Sequence, residues 1–433
     1  MKWANMVVLA AAVGCGGGNS DNQPIRIGLL TPKSGSLQSV GESFERVATT
    51  AVLMINEQGG VDGHPLVLVV KDTGGSPSQA RIAMQEMVSL EGVVAVIGPA
   101  RSDEVDRSYD VARDFETPMI SPSSTAASLI TVDDGGYLFR NVPNDNLQGI
   151  FQAYYLAVAP TGPMITTAAI MYEVGQYGQG LAESFEAAFE RACVGCDVPD
   201  THIVTFAAGL PQATADAEVA NLQALQPPPE YVMLVALEQD GVKLVNAWDP
   251  PDSDPTLPDL QWFMTDGVRS AGFLQNIPPS MVDMRGTAPT VPMAGAAYGV
   301  MVQAYETRNP DDIDQQVFAA NVWDAVYLIA AGLAVQTADQ ADAYGGPGLR
   351  DAITAVSRGP GQIFHAGQWP DLVGAILSGS AVDYDGAAGP NDFDEDGEAR
   401  GPYEVWRIVD RGTGYEFEQE LFLEADDVEG LLP

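Results

Sequence analysis

The feature that most constrains this chain is a repeated rhythm in its first 130 residues. A short apolar run breaks into a small polar loop, and an amphipathic run follows. The stretch from Val93 to Thr125 states it most clearly. Val-Val-Ala-Val-Ile leads into Gly-Pro-Ala-Arg-Ser at 98–102, then a polar run, then Pro-Met-Ile-Ser-Pro-Ser-Ser-Thr at 118–125. Short apolar runs bounded by turn residues read as buried strands, and the intervening runs read as helices. The expectation is a strand–helix–strand unit in which each strand ends in a hydroxyl-rich loop that opens a helix. Open parallel sheets bind ligands off these carboxyl ends. Free N–H groups and the positive dipole end at a helix start suit an anion such as a carboxylate.

The same grammar runs on both sides of this unit. Pro24–Leu30 reads as a strand, Glu42–Glu57 as a helix, Leu66–Val70 as a strand and Ser78–Leu90 as a helix. After Arg140 the alternation restarts. Helices are expected at Gln148–Val158, Leu181–Ala192, 213–225 and 239–248, and strands at Ala168–Tyr172, Thr201–Phe206, Tyr231–Leu237 and Gln261–Met264. Asp249–Pro258 reads as a loop insertion. Ala294–Tyr305 and Gln315–Ala334 are strongly helical, Gly386–Pro402 is an acidic Gly-rich stretch before a strand at Tyr403–Val409, and Glu424–Pro433 is an acidic, peripheral end. Alternating strands and helices predict an α/β protein with two lobes, each a mostly parallel sheet flanked by helices.

Composition narrows function by exclusion. Among 433 residues, 59 are acidic and 20 basic, a net charge of −39. Such a surface repels nucleic acid and anionic membranes and keeps a protein soluble. Only three His occur, at 64, 202 and 365, so a His-based zinc or catalytic centre is not expected. The chain contains no G-x-S-x-G nucleophile turn and no G-x-x-x-x-G-K phosphate loop, and the expectation is a protein that is not an enzyme.

The amino terminus reads as a targeting segment. Lys2, the apolar run Met6–Val13 and Ala-Val-Gly-Cys at 12–15 fit a secretory signal too short to span a bilayer as a helix. It resembles a bacterial lipoprotein signal, with cleavage before Cys15 and lipid on that thiol; ordinary signal cleavage is the alternative. Residues 16–23 then form a tether, and the address is extracytoplasmic and oxidising. At that address Cys193 and Cys196 read as a local disulfide, with free thiols or a metal site as the alternatives. The pair ends a helix instead of opening one, which does not suit a redox site.

Seven segments occur in order. They are Ile25-Arg-Ile-Gly-Leu-Leu-Thr-Pro-Lys-Ser-Gly, Gln58-Gly-Gly-Val-Asp-Gly-His-Pro-Leu, Val96-Ile-Gly-Pro, Pro118-Met-Ile-Ser-Pro-Ser-Ser-Thr, Gln176-Tyr-Gly-Gln-Gly, Asn321-Val-Trp-Asp-Ala-Val-Tyr and Gly389-Pro-Asn-Asp-Phe-Asp-Glu-Asp-Gly-Glu. Together, over roughly residues 24 to 410, they resemble the leucine/isoleucine/valine-binding family of type I periplasmic binding proteins. These are solute-binding components of branched-chain amino-acid ABC transporters.

The resemblance implies two lobes joined by three crossing segments, near residues 142, 290 and 388. Residues 1–23 would be signal and tether, 24–141 plus 291–388 lobe 1, and 142–290 plus 389–433 lobe 2. It implies hinge closure around an amino acid or related carboxylate, a membrane permease as partner, attachment to the membrane through a lipid anchor, and no cofactor. A lipid-anchored ligand sensor on the same fold is the alternative.

Matched motif by motif, the resemblance assigns the ligand carboxylate to Ser102, Ser123, Ser124 and Thr125, which could instead be plain helix caps. Arg101 beside them is a departure, facing either an acidic ligand or solvent. Tyr177 falls on the aromatic that covers the ligand from lobe 2, or is an exposed loop Tyr. Asp266 falls on the acid for the ligand ammonium, or is a helix cap. A second family aromatic maps to Leu237–Glu238, where this chain has no Tyr, so branched-chain specificity does not carry over. The segment Asp392–Gly397 also resembles the start of an EF-hand loop. Position twelve, however, is Tyr403 where a bidentate Glu is required.

Overall fold

The computed structural model describes residues 22–229, 231–248, 260–309, 313, 316–341 and 343–432. The signal and tether up to residue 21, Cys15 included, and the insertion at 249–258 lie outside the described residues.

The amino-terminal part builds one sheet. Strand β1 (Ile25–Thr31) leads to helix α1 (Gln38–Glu57), which buries Phe44, Val47, Ala48, Ala51, Val52 and Ile55 at helical spacing. Then come β2 (Leu66–Asp72), α2 (Pro77–Glu86), β3 (Val96–Ile97), α3 (Ser102–Asp106), α4 (Tyr109–Asp114), β4 (Met119–Ser121) and β5 (Leu138–Arg140). All pairings are parallel, in the order β2-β1-β3-β4-β5. The order reverses between β1 and β3, so the loops after these two strands diverge and leave a crevice at their carboxyl ends.

The chain then builds a second sheet. It runs through α5 (Asp145–Ala157), β6 (Ala168–Glu173), α6 (Gln176–Ala192), β7 (Ile203–Phe206), α7 (Gln212–Gln223), β8 (Tyr231–Val235), α8 (Glu238–Ala247), β9 (Gln261–Met264), α9 (Ala271–Leu274) and β10 (Arg285–Pro289). It returns to pack on the first part with α10 (Ala296–Glu306), α11 (Ala319–Ala338) and α12 (Gly346–Ser357). A small sheet follows from β11 (Gln362–Phe364), β12 (Val382–Gly386) and β13 (Gly389–Pro390), with α13 (Trp369–Leu377) between the first two. Finally β14 (Tyr403–Asp410) and β15 (Tyr415–Leu423) close the edge of the second sheet, and α14 (Ala425–Glu429) ends the described chain. That sheet has the order β15-β14-β10-β9-β8-β6-β7, parallel from β7 to β10 and antiparallel beyond. Its order reverses at β6, between β7 and β8, which gives a second crevice. The result is two α/β lobes; the chain leaves the first sheet after β5 and the second after β10, and it rejoins the second with β14 after the small sheet ends at β13.

Two departures from the sequence reading have physical causes. The loop after β3 does open a helix, of five residues, but the loop after β4 does not. It leads to a 3-10 turn at Ala127–Thr131. Its hydroxyls are bonded to carbonyls of the β3 loop instead of capping a helix: Ser121 Oγ donates to Pro99 O at 2.8 Å and Ser123 Oγ to Ala100 O at 2.8 Å. The stretch between α11 and β13, for which the sequence reading named no elements, holds two helices and the small sheet. Its strands are only two to five residues long, too short for a periodic signal.

Candidate functional site

Both crevices open onto one cavity. Residues from the first lobe reach it from the loops after β1, β3 and β4. Residues of the second lobe reach it from the carboxyl ends of β6, β8 and β9 and from the start of α6. Gly98, at φ 89°, makes the approach of β3 to β1 possible, since a Cβ there would lie 2.2 Å from Leu30 O. Ser102, Ser123, Tyr177 and Asp266 line the cavity, with an apolar wall from Leu37, Val40, Leu237, Val317 and Phe318. It leaves about 50 Å³ in which the centre of a water-sized sphere can move. A wider depression of about 500 Å³ runs along α10 past Met293, Tyr298 and Gln303. It is shallow and receives no strand end.

Ser124 and Thr125 are not brought to the cavity wall. Both are fully buried behind it. Ser124 Oγ lies 2.7 Å from Ser121 Oγ, and the Thr125 hydroxyl lies beside the buried Asp145 carboxyl. The loop is held from behind by Arg140, which is wholly buried. Its Nη1 donates to Ser124 O at 2.9 Å and Ala126 O at 2.8 Å, and its other nitrogens pair with Glu398 at 2.7 and 2.5 Å. Ser102 Oγ accepts from Ala126 N–H at 3.2 Å, tying the two loops together.

On the opposite wall Asp266 Oδ1 accepts from Gln148 Nε2 at 2.8 Å and lies 3.0 Å from the Tyr177 hydroxyl. That hydroxyl also lies 2.9 Å from Thr265 Oγ1 and accepts from Gly267 N–H at 3.2 Å. Tyr177 is buried, not an exposed loop residue, and its polar end is spent on fixing Asp266. Burial pushes the Asp266 carboxyl up to about 6, although the Gln148 and Tyr177 bonds pull it down. Burial and the charge of Asp266 together push Asp145 well up. The wall therefore presents a buried, desolvated acid to the cavity.

Arg101 departs from both of its expected orientations. It turns neither to solvent nor freely to the cavity but reaches across to Glu173, with Nη2 2.5 Å from Oε1, and its Nη1 donates to Gly75 O at 3.1 Å. Burial raises the Glu173 carboxyl, opposed by the Arg101 charge. Sequence reasoning missed Glu173, although it is the last residue of β6, the position at which this fold places ligand-facing groups. It also missed Gln148 and Asp145, one turn apart on α5. Their signal was confined to a polar face on an otherwise apolar helix. Leu237 stands where the family aromatic was sought, and Glu238 beside it accepts from Ser270 Oγ at 2.5 Å and from Ser39 Oγ across the cleft.

Two further features lie outside the cavity. Cys193 and Cys196 form a disulfide at the end of α6, with Cα atoms 5.3 Å apart. In the acidic loop, Asp394 Oδ1 accepts from the N–H groups of Asp396 and Glu398 at 2.9 and 3.0 Å, so this carboxylate serves its own turn.

Two mostly parallel sheets whose carboxyl ends face a shared cavity define a two-lobed α/β clamp, a binding protein in form. The model of the periplasmic binding protein family matches residues 24–413, and the chain belongs to that family, in its type I, leucine/isoleucine/valine-binding branch. Leu/Ile/Val-binding protein homolog 3 of Brucella melitensis biotype 1 is 28% identical over 191 residues, 44% of this chain and 50% of that protein. The chain thus spans about half the length of this curated relative. The chemotactic signal transduction system substrate-binding protein BasB of Halobacterium salinarum is 24% identical over 405 residues, 90% of this chain and 88% of that protein. The crystal structure of the branched-chain amino acid transporter substrate-binding protein LivJ from Streptococcus pneumoniae, in complex with isoleucine, superposes with a TM-score of 0.70. It is 21% identical and covers 92% of this chain and 100% of that one, a likeness of fold.

Proposed function

We propose that this chain is an extracytoplasmic solute-binding protein that captures a small amino acid between its lobes and presents it to the permease of an ABC transporter. One observation carries the reading: a buried acid, Asp266, faces a hydroxyl-lined loop pair, Ser102 and Ser123, across one small cavity. A zwitterion matches that polarity, with its ammonium on Asp266 and its carboxylate on hydroxyls and backbone N–H groups near the start of α3. Ser124 and Thr125 contribute through the backbone of their loop, and the Tyr177 ring covers the ligand. The lobes divide near 142, 290 and 388, where the chain changes sheets. Cys15 carries a lipid that anchors the protein to the membrane; Cys15→Ala would then move it from the membrane fraction to the soluble one.

Titration calorimetry of the purified chain, unfolded and refolded to strip ligand, against an α-amino acid panel tests the reading. Binding of at least one member is expected, and binding by none would sink it. A sensor role is the second reading, favoured by the relative that spans most of the chain and carries a chemotactic name. Capture of a membrane permease by the ligand-loaded protein supports the first role, and capture of a signalling receptor supports the second.

A further inference from the structure

The cleft contains an ion pair that the amino-acid reading does not use. Arg101, at the start of α3, and Glu173, at the end of β6, both line the cavity, and their side chains are only 9% and 4% exposed. A guanidinium and a carboxylate fit one another through two parallel hydrogen bonds. Here they meet through one, Nη2 to Oε1 at 2.5 Å. Arg101 Nε and Glu173 Oε2 are each buried without a hydrogen-bond partner. A buried donor and a buried acceptor, unsatisfied on two residues that meet across the same cavity, are costly to leave unpaired.

We propose that Arg101 and Glu173 form a polar subsite that reads the side chain of the bound amino acid, so that the preferred ligands carry a hydroxyl or a primary amide. The proposal rests on the amino-acid reading given above. A ligand hydroxyl accepts from Nε–H and donates to Oε2 with a single oxygen. A primary amide does the same with its oxygen and its NH2 group. A hydrocarbon side chain of equal size leaves both protein groups unpaired, and sites built around a hydrogen-bonded group reject analogues that lack it. An acidic side chain is excluded by charge, because Asp103, Glu173 and Asp266 already outnumber Arg101 on the wall. Only about 50 Å³ is open to the centre of a water-sized sphere, which favours a small side chain.

Threonine and valine differ by a hydroxyl in place of a methyl, and they are the probes. Calorimetry on the ligand-stripped full chain should show threonine at least tenfold tighter than valine. In Arg101→Leu/Glu173→Leu, which removes both charges and strands neither, the threonine-to-valine ratio should fall to about one. Reading a ratio cancels any loss common to both ligands. Should that double variant fail to fold, Arg101→Lys keeps the charge, removes the Nε–H donor and should reduce the ratio several-fold. Valine as tight as threonine in the unmodified protein, or an unchanged ratio in the folded variants, would overturn the subsite and leave amino-acid capture standing. Failure of every α-amino acid to bind, alanine included, would overturn both.

Discussion

Asp266 shows how a single residue type acquires a role from its surroundings. Its carboxyl is buried, held by Gln148 and Tyr177, and pushed up to about 6. A ligand ammonium would restore the charged form, so proton and ligand compete for the same group. The affinity for a zwitterion should therefore rise from pH 5 to pH 7 and level off above. Calorimetry in buffers of different ionisation enthalpy should detect proton release near pH 6; a flat profile would remove Asp266 from the ammonium site. The stability of the unliganded protein takes the opposite sign. A carboxyl whose folded pKa lies above its ordinary 3.8 costs nothing below that value. Stability is lost as pH rises through about 6. Asp266→Asn should weaken an α-amino acid by about 30-fold or more, the scale of a truncated buried charge pair. The matching α-hydroxy acid, which lacks the ammonium, should change far less; equal losses would reassign the residue. The family resemblance singled out Asp266 through its motif, and the residue does line the cavity. It could not supply the burial that sets its proton affinity, or the Gln148 bond, which comes from α5 more than a hundred residues away.

At the scale of elements, α11 is the clearest case of a helix defined by what surrounds it. It is apolar on nearly every face, as a helix buried all round must be. Its one buried acid, Asp324, pins the segment by which the chain leaves the first lobe for the last time. Asp324 Oδ1 accepts from Tyr384 Oη at 3.0 Å and Ala387 N–H at 2.8 Å. Its Oδ2 accepts from Ala388 N–H at 2.7 Å and Asn391 Nδ2 at 3.3 Å. Gly386 is required there, because a Cβ would lie 2.1 Å from the carboxylate. Asp324→Asn turns an NH2 group towards two donors and orphans them. It should cost about 2–3 kcal/mol in denaturant unfolding, while a loss below about 0.5 kcal/mol, within the range of an ordinary surface change, would show that the segment is held by other contacts. The helix itself was legible from its long apolar run. The strands it anchors were not, because their few residues carry too little pattern to read.

In the molecule as a whole the two lobes stand closed. Arg101 meets Glu173, Asp103 accepts from Gln176 N–H at 2.9 Å, and Ser128 donates to Gln176 Oε1 at 2.7 Å. Gln239 donates from its backbone to Ser36 O at 3.2 Å and from its side chain to Gly35 O at 3.0 Å. These bridges are polar and few, as suits a surface that must part to admit solvent and ligand. Small-angle X-ray scattering should give a larger radius of gyration for the stripped protein than for the protein saturated with a bound amino acid, the hinge closure known for binding proteins of this kind. Equal radii would mean that the lobes do not move. Glu238→Ala, which removes the bridge to Ser39, should raise the ligand-free radius or leave it at its open value, and should weaken binding by favouring the open form.

By itself the sequence determined the alternation of strands and helices, the fold class, and the loops at which a ligand would be sought. Those signals are local: apolar runs, turn residues and short motifs read within a few residues of one another. Only the tertiary structure decided which side chains share the cavity, that Ser124 and Thr125 stand behind its wall, and that Arg101 is paired with Glu173. Pairing, burial and proton affinity depend on groups brought together across two sheets, and no window of sequence contains both partners.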